Sequence, residues 1–357
     1  MIGASIAYFL SRRGVRATVV ESTGLACAAS GKSGGFLALD WCDGTPLQAL
    51  ARRSFELHEN LAHELGGDWG YRRLTTYAGS ADARPIERCR TAGRLNWLSD
   101  GVSLHQRLGS VDSTAQVHPG RFTAALMRGA QAQGAELRRG RVTGVVRGAD
   151  SVEGVRVDGE TVRGDAVVIA MGPWSILAAQ WLPLPAVFGL KGHSLVFETG
   201  TRIPAEALFL EYHDAGVVRT PEIFPRDDGT TYVCAISSES PLPLDPANVA
   251  PDPGAIERLE AMCARLSPAL GDRILARQAC YRPVTEDGLP LIGPVPDVPN
   301  AYVATGHGVW GILNAPATGE AMAELILDGA ATLDLTRFHP GRLRPLDPAR
   351  LTRTGAS

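Results

Sequence analysis

The feature that most constrains this chain is its opening. Ile2 to Arg13 carries apolar residues at Ile2, Ile6, Phe9 and Leu10, a helical spacing, and Gly14 ends the run. Val15 to Glu21 (VRATVVE) follows at once as a β-rich stretch, expected to be a buried parallel strand. A helix feeding such a strand implies an α/β layer arrangement. Glu21 stands 18 positions after Gly3. In a dinucleotide-binding βαβ unit the third glycine of the turn lets the helix pack close to the sheet, and an acid about 20 residues on accepts hydrogen bonds from ribose hydroxyls. Gly3, followed by Ala4 and Ser5, and Glu21 fit those two places. The preceding strand and the first two glycines are absent, and Met1 sits where the turn belongs. A start placed too far downstream, or a gene fragment, is the expectation. It implies an unpaired ladder edge and the loss of N–H groups that face a pyrophosphate. Taken alone, the half-motif also fits any amphipathic helix followed by a strand.

Composition sets the outer bounds. A chain of 357 residues is long for one core and suits two intertwined domains. With 45% apolar and 20% charged residues, wholesale disorder is excluded. A net charge of −3 with no polybasic run argues against nucleic acid or anionic lipid as partner. No apolar run reaches the length of a membrane span, and no basic region precedes Ile2 to Leu10 as a signal peptide requires. The six cysteines, Cys27, Cys42, Cys89, Cys234, Cys263 and Cys280, form no CxxC pair, so reduced thiols in a cytoplasmic protein are expected.

Further along, Leu47 to Leu65, Pro85 to Leu98, Pro119 to Gly134 and Ala255 to Leu266 read as helices. Three short strands are expected between Leu137 and Val162, and a buried strand over Asp165 to Ala170. Val187 to Ser237 has longer β-like runs, which suggests an antiparallel sheet. Pro241 to Pro253 reads as an exposed connection, Tyr302 to Thr305 as a strand, and Pro316 to Leu327 as a helix. The chain has no internal repeats.

Five segments carry more specific patterns. Ala28 to Gly35 reads AASGKSGG, a loop of small residues and hydroxyls that equally fits a flexible glycine turn. Val117 to Phe122 reads VHPGRF and opens a helix. Ala170 to Ser175 reads AMGPWS at a strand end. Pro225 to Gly229 reads PRDDG, which a plain Asp-Gly hairpin also explains. Tyr281 to Gly293 reads YRPVTEDGLPLIG, and Gly306-His307-Gly308 with Gly311 follows.

Together these segments resemble the D-amino-acid oxidase superfamily of FAD enzymes, which includes glycine oxidase and monomeric sarcosine oxidase. The resemblance runs from Gly3 to about Gly329 and is nearest to a branch of FAD-dependent oxidoreductases found in fungi, plants and bacteria. It implies an α/β fold: a Rossmann-like FAD-binding domain and a second domain with an antiparallel substrate sheet. The FAD domain would be discontinuous, over 1–45, 117–186 and 278–330. The substrate domain would take 46–116 and 187–277, with 331–357 a loosely structured tail.

The resemblance also implies roles. Gly3, Glu21, Ser30, Gly31, Lys32, Ser33, Gly34, Val142, Ala170, Gly172, Gly306, Gly308 and Gly311 would bind FAD. Arg282 matches the position that pairs with the substrate carboxylate, a task for which a guanidinium fork is suited; a structural salt bridge with Glu286 or another acid is the alternative. His307 would stabilise reduced flavin or contact substrate, or else be structural. Lys191 and His193 read better as a solvated strand end. Cys280 aligns with the cysteine that carries covalent flavin in sarcosine oxidase, although non-covalent FAD and a buried small side chain are the expectation. Cys234 stands where the family has glycine, which puts the pocket shape in question.

The implied reaction oxidises a C–N bond of a small amine or amino acid by hydride transfer to flavin, with oxygen or another acceptor taking the electrons. Two other readings stand beside it. One is a fragment or non-catalytic protein with the same fold acting through partners. The other is a nicotinamide-dependent dehydrogenase using only the βαβ half, which leaves the Ser30 and Gly306 loops unexplained.

Overall fold

The structure, a computed structural model, describes residues 1–82 and 95–352. The helix expected over Pro85 to Leu98 falls largely outside the described residues. Five helices organise the rest: α1 (Ile2–Ser11), α2 (Gln48–Glu64), α3 (Pro119–Ala132), α4 (Ala255–Leu266) and α5 (Gly311–Asp328).

Helix α1 is buried on every side, from Ala4 to Ser11, between α3 and α5. Small residues permit this. A Cβ on Gly319 of α5 would stand 2.5 Å from Ser5 Oγ, and one on Gly129 of α3 would stand 2.9 Å from the Tyr8 ring. The start of α3 is capped by His118, whose Nδ1 accepts from the Arg121 N–H at 3.3 Å, with Pro119 in the first turn.

Strand Thr18–Glu21 pairs in parallel with Glu136–Arg139. It is partly exposed rather than buried, because it lines a cavity. A separate parallel ladder joins Val167–Ile169 to Ala301–Thr305, which is antiparallel to Leu291–Pro294. The Leu137 to Val162 region holds four strands instead of three, Glu136–Arg139, Val142–Arg147, Val152–Val157 and Glu160–Arg163, the last three forming a meander.

The large sheet runs in the order Ile274–Val284, Phe188–Glu198, Thr230–Ser238, Glu222–Pro225, Glu206–Asp214, Thr75–Asp82, Val102–Gly109. It is mixed: Glu206–Asp214 and Thr75–Asp82 pair in parallel. The run from Val187 shows strands but not their partners, and Thr75–Asp82 lies far away in sequence, so the run could not reveal this pairing. Alternation along the strands separates two faces. Leu195, Phe197, Leu208, Ile223 and Val233 face α4 through Leu259, Met262 and Cys263. Phe224, Tyr232 and Cys234 belong to the opposite face.

Two further expectations are corrected. Helix α5 starts at Gly311, so Pro316 lies inside it and not in its first turn. Proline cannot donate to the Ile312 carbonyl. His58 Nε2 on α2 meets that carbonyl at 3.0 Å and Leu313's at 3.1 Å, while the Ala317 N–H donates to Ser54 Oγ at 3.1 Å. The second correction concerns the segment after Leu333. Phe338 is buried, Arg342 makes a two-pronged ion pair with Asp287 at 2.7 and 2.9 Å, and the Leu346 N–H donates to the Leu184 carbonyl. As far as Leu346 the tail is pinned, not loose.

Candidate active site

A cavity of about 1300 Å³ extends from the C-terminal end of the Thr18–Glu21 strand, along α1, to the sheet face that carries Arg282. Gly3, Glu21, Ser30, Ser33, Gly34, Val142, Ala170, Gly172, Cys280, Arg282, His307, Gly308 and Gly311 line it. Gly31, Lys32 and Gly306 do not. Gly31 instead serves the loop's own packing: a Cβ there would stand 2.0 Å from the Ala26 carbonyl oxygen. Gly306 turns at φ +77°, and a Cβ would meet Thr285 at 2.7 Å. The Lys32 carbonyl faces the Cys280 thiol at 3.8 Å.

At the first end, Glu21 Oε1 accepts from the Thr23 N–H at 2.9 Å, which holds the carboxylate at the strand tip. Arg139 Nε donates to the Ser22 carbonyl and the Gly140 N–H to the Glu21 carbonyl, so the two parallel strands end together. The Ala28–Gly35 loop lies between the ends. The Met1 backbone nitrogen donates to Ser30 Oγ at 2.8 Å. Ser33 Oγ is buried without a hydrogen-bond partner. Arg226, from the PRDDG hairpin, is buried and donates to the Ser33 carbonyl at 3.0 Å. That explains the hairpin's arginine, which was not among the expected site residues.

The strand end at Ala170 is clamped by hydroxyls. Ser175 Oγ donates to Thr305 Oγ1 at 3.1 Å, and Thr305 Oγ1 donates to the Gly172 carbonyl at 3.0 Å. Gly172 and Gly308 both have φ +55°, with nothing within 4 Å of where a Cβ would stand. These backbone turns leave room against the cavity. His307 is 4% exposed, with Nε2 3.0 Å from Thr318 Oγ1 and Nδ1 without a partner. Burial pulls its pKa down to about 3, so it is neutral at ordinary pH and carries no positive charge toward a ligand.

The other end is the sheet floor. Arg282 Nη1 donates to Ser237 Oγ at 3.0 Å. Its neighbour Gly192 leaves space for the guanidinium, since a Cβ there would stand 3.1 Å from Nη1. Burial opposes the Arg282 charge, but the groups of Cys234, Tyr232 and Glu222 outweigh it and raise its pKa. Its partners are Ser237 and this group, not Glu286. Burial also pushes the Cys280 thiol up, which keeps it protonated.

Lys191 and His193 are not a solvated strand end. Lys191 Nζ pairs with Asp252 Oδ1 at 2.6 Å, and His193 Nε2 accepts from the Asp252 N–H at 3.0 Å. Both side chains are buried beneath the Pro241–Pro253 connection. A strand bulge between His193 and Ser194 and the fold-back of Asp252 produce this, and neither is visible in a linear pattern. Sequence reasoning also missed Glu222 and the rings of Phe36, Trp41, Phe209 and Phe224, which converge on the cavity from three separate segments. Their only signal was alternation along short strands.

The residues present fit a flavin dinucleotide: a carboxylate at a strand tip, an orphaned buried hydroxyl, two open glycine turns, and the start of α1 facing the cavity. Among the described residues there is no cluster suited to a metal ion, and no helix is long and apolar enough to cross a membrane. The fold and cavity define a flavin-dependent oxidoreductase.

The chain belongs to the DAO family of FAD-dependent oxidoreductases, whose family model matches residues 1–325. A Schizosaccharomyces pombe protein, C1F5.03c, named only as an oxidoreductase, is 31% identical over 92% of each chain. A glycine oxidase of Bacillus licheniformis is 30% identical over 92% of this chain and 90% of its own. The crystal structure of glycine oxidase from Geobacillus kaustophilus superposes with a TM-score of 0.81 at 24% identity, over 96% of each chain, and so shares the fold. FAD is the family's cofactor.

Proposed function

We propose that this protein oxidises a C–N bond of a small amine or amino acid. The observation that carries the reading is Arg282, a guanidinium oriented by Ser237 on the cavity floor with Gly192 cleared beside it. A fork of N–H groups in that setting suits a carboxylate. Glu21, Ser30, Ser33, Gly34, Ala170, Gly172, Gly308 and Gly311 are the residues that would hold FAD, and Gly31, Lys32 and Gly306 shape the loops behind them. When bound, FAD would supply the acceptor for a hydride from the carbon next to nitrogen, with oxygen or another acceptor as the final electron sink. Arg282 fixes the substrate so that this carbon faces the cofactor, and the aromatic floor excludes water from it. Non-covalent FAD is the reading proposed: Cys280 lines the cavity, but burial pushes its thiol up, away from the thiolate that a covalent link would need.

The test starts from the visible spectrum of purified protein, before and after acid precipitation. A flavin spectrum that stays in the supernatant supports the reading, as does turnover on an amine and amino-acid panel that Arg282→Ala weakens by tenfold or more in kcat/KM, or about 1.4 kcal/mol. Full flavin content with no turnover on any member of the panel would overturn it.

A further inference from the structure

Arg282 is not the only charge on the cavity floor. Glu222 pairs with Cys234 across the antiparallel ladder and adjoins Phe209 on the other side. The Cys234 thiol donates to Glu222 Oε2 at 3.4 Å. Aromatic rings close around this place. Phe36 lies 5.0 Å from Trp41, 5.1 Å from Phe209 and 5.3 Å from Phe224, centroid to centroid. A carboxylate among such rings is costly to ionise unless a cation compensates it. Burial pushes the pKa of Glu222 up, while the nearby Arg282 charge favours the ionised form.

With Glu222 ionised, as the thiol it accepts from and the Arg282 charge favour, the floor carries one cation and one anion and is neutral as a unit. That balance restricts what can bind. A ligand that brings only a carboxylate to Arg282 takes the compensation away from Glu222 and leaves a net negative charge inside an aromatic pocket. A ligand that also brings an ammonium group restores neutrality. The same logic disfavours hydroxy acids and plain carboxylic acids.

We infer that Arg282 and Glu222 together select zwitterionic amino acids, and that Glu222 is the group that takes the ammonium proton before the substrate is oxidised. In this step one N–H bond of the ammonium breaks and an O–H bond forms on Glu222. The nitrogen keeps the electron pair and becomes the free amine that hydride loss requires. The proton leaves for solvent when product departs. The inference rests on the proposed reading of Arg282 as the carboxylate partner. The titratable groups facing Glu222 are Arg282 from one strand and Cys234 from another, and neither takes the amine's proton in the same way: the first stays charged and burial keeps the second protonated.

The experiment uses the FAD-loaded protein and matched ligand pairs: glycine with acetate, leucine with 4-methylpentanoate and phenylalanine with 3-phenylpropionate, the leucine and phenylalanine in both enantiomers. Calorimetric binding gives the preference and steady-state assays give the pH profile. The wild type is expected to bind at least one amino acid about tenfold more tightly than its partner acid. Glu222→Gln should abolish that preference while keeping flavin content. Its kcat/KM should fall at neutral pH and recover as pH approaches the pKa of the free amine, because the substrate then deprotonates itself. A purely structural role would not move the profile. Arg282→Met supplies an independent arm should Glu222→Gln not fold: with only Glu222 left, preference should turn to the matched amines lacking a carboxylate, such as 2-phenylethylamine. Unchanged preference and profile in Glu222→Gln, or an Arg282→Met variant that does not turn to amines, overturns the inference and leaves the amine-oxidation reading standing. A wild type that neither binds nor oxidises any amino acid overturns both.

Discussion

His58 and Pro316 are matched across two helices. Pro316 sits inside α5 without an N–H, and His58 Nε2 lies 3.0 Å from the Ile312 carbonyl that the proline leaves unserved. Both of its contacts are carbonyl oxygens, so Nε2 carries the proton and His58 is the donor. Four residues earlier on α2, Ser54 Oγ takes up the Ala317 N–H that the distorted turn releases. The proline is tolerated because α2 replaces the helix's own hydrogen bonds. The pairing also sets the direction of α5, whose first residue, Gly311, lines the cavity.

His58→Ala is expected to cost about 2–4 kcal/mol, since it opens a cavity and strands two buried carbonyls. Ser54→Ala should cost about 1–3 kcal/mol by leaving the Ala317 N–H without an acceptor. His58→Gln, whose amide can still donate, should cost least. Urea unfolding midpoints of the three variants at one pH check the ranking. A His58→Ala variant as stable as wild type would show that the proline turn needs no external donor.

The same histidine makes stability fall in mild acid. Burial pulls His58 down to about 4 and His307 to about 3, from 6.5. Folded pKa values below the unfolded ones mean that acid protonates the unfolded chain first. Stability is therefore full above about pH 6.5 and is lost as pH falls toward the folded pKa values. Each histidine should withdraw about 2 kcal/mol between pH 7 and pH 5. Replacing His58 with Gln should flatten the pH dependence by about half of the histidine contribution. Denaturation curves at a series of pH values report this directly, and parallel slopes for variant and wild type would refute it.

Much of this architecture could be read in advance, and the failures have physical causes. The bounds of α4 were legible because its apolar stripe sits beside a Pro-rich approach and a Ser-Pro stop. The start of α5 was not. Proline normally marks a first turn, and only a donor and an acceptor on α2, more than 250 residues away, make an interior proline affordable. Glu21 and the glycine loops could be picked out because backbone turns demand particular residues at particular spacings. Glu222 could not, since its importance comes from Arg282, which reaches the same face from a strand 60 residues later. Lys191 and His193 read as exposed because Asp252 folds back to cover them.

The loop glycines should differ in what they tolerate. A Cβ on Gly34 would meet the Phe224 ring at 2.2 Å, and a ring edge can shift. A Cβ on Gly35 would meet the Val117 carbonyl oxygen at 1.9 Å, at φ +83°, where backbone must move. Gly35→Ala should therefore lose more stability, about 2–4 kcal/mol against about 1–2 for Gly34→Ala. Gly34→Ala should instead act on the cavity, displacing Phe224 and raising KM. Flavin content, melting temperature and kinetics measured on both variants separate the effects, and a Gly34 variant weaker in fold than the Gly35 variant would contradict the geometry.

Lys191 and Asp252 hold the Pro241–Pro253 connection over the sheet. Asp252 also accepts from Ser238 Oγ at 2.5 Å and Ser240 Oγ at 2.6 Å. The same connection gives its Pro243 carbonyl to Trp174 Nε1 at 2.8 Å and its Pro241 carbonyl to Tyr281 Oη at 2.5 Å. Trp174 and Leu244 line the cavity, so the pair reaches the site through this strap. Lys191 is buried and Asp252 is the more exposed partner, so removing the carboxylate strands a buried cation, whereas removing the cation leaves an anion with water and two hydroxyls. Asp252→Ala should therefore cost more, about 3 kcal/mol, than Lys191→Met. The double variant should be more stable than Asp252→Ala alone, because it no longer buries an unpaired ammonium. Proteolysis between Pro241 and Pro253 should accelerate in the single variants before global unfolding. Strictly additive costs in the double variant would mean that the ion pair contributes nothing to holding the strap.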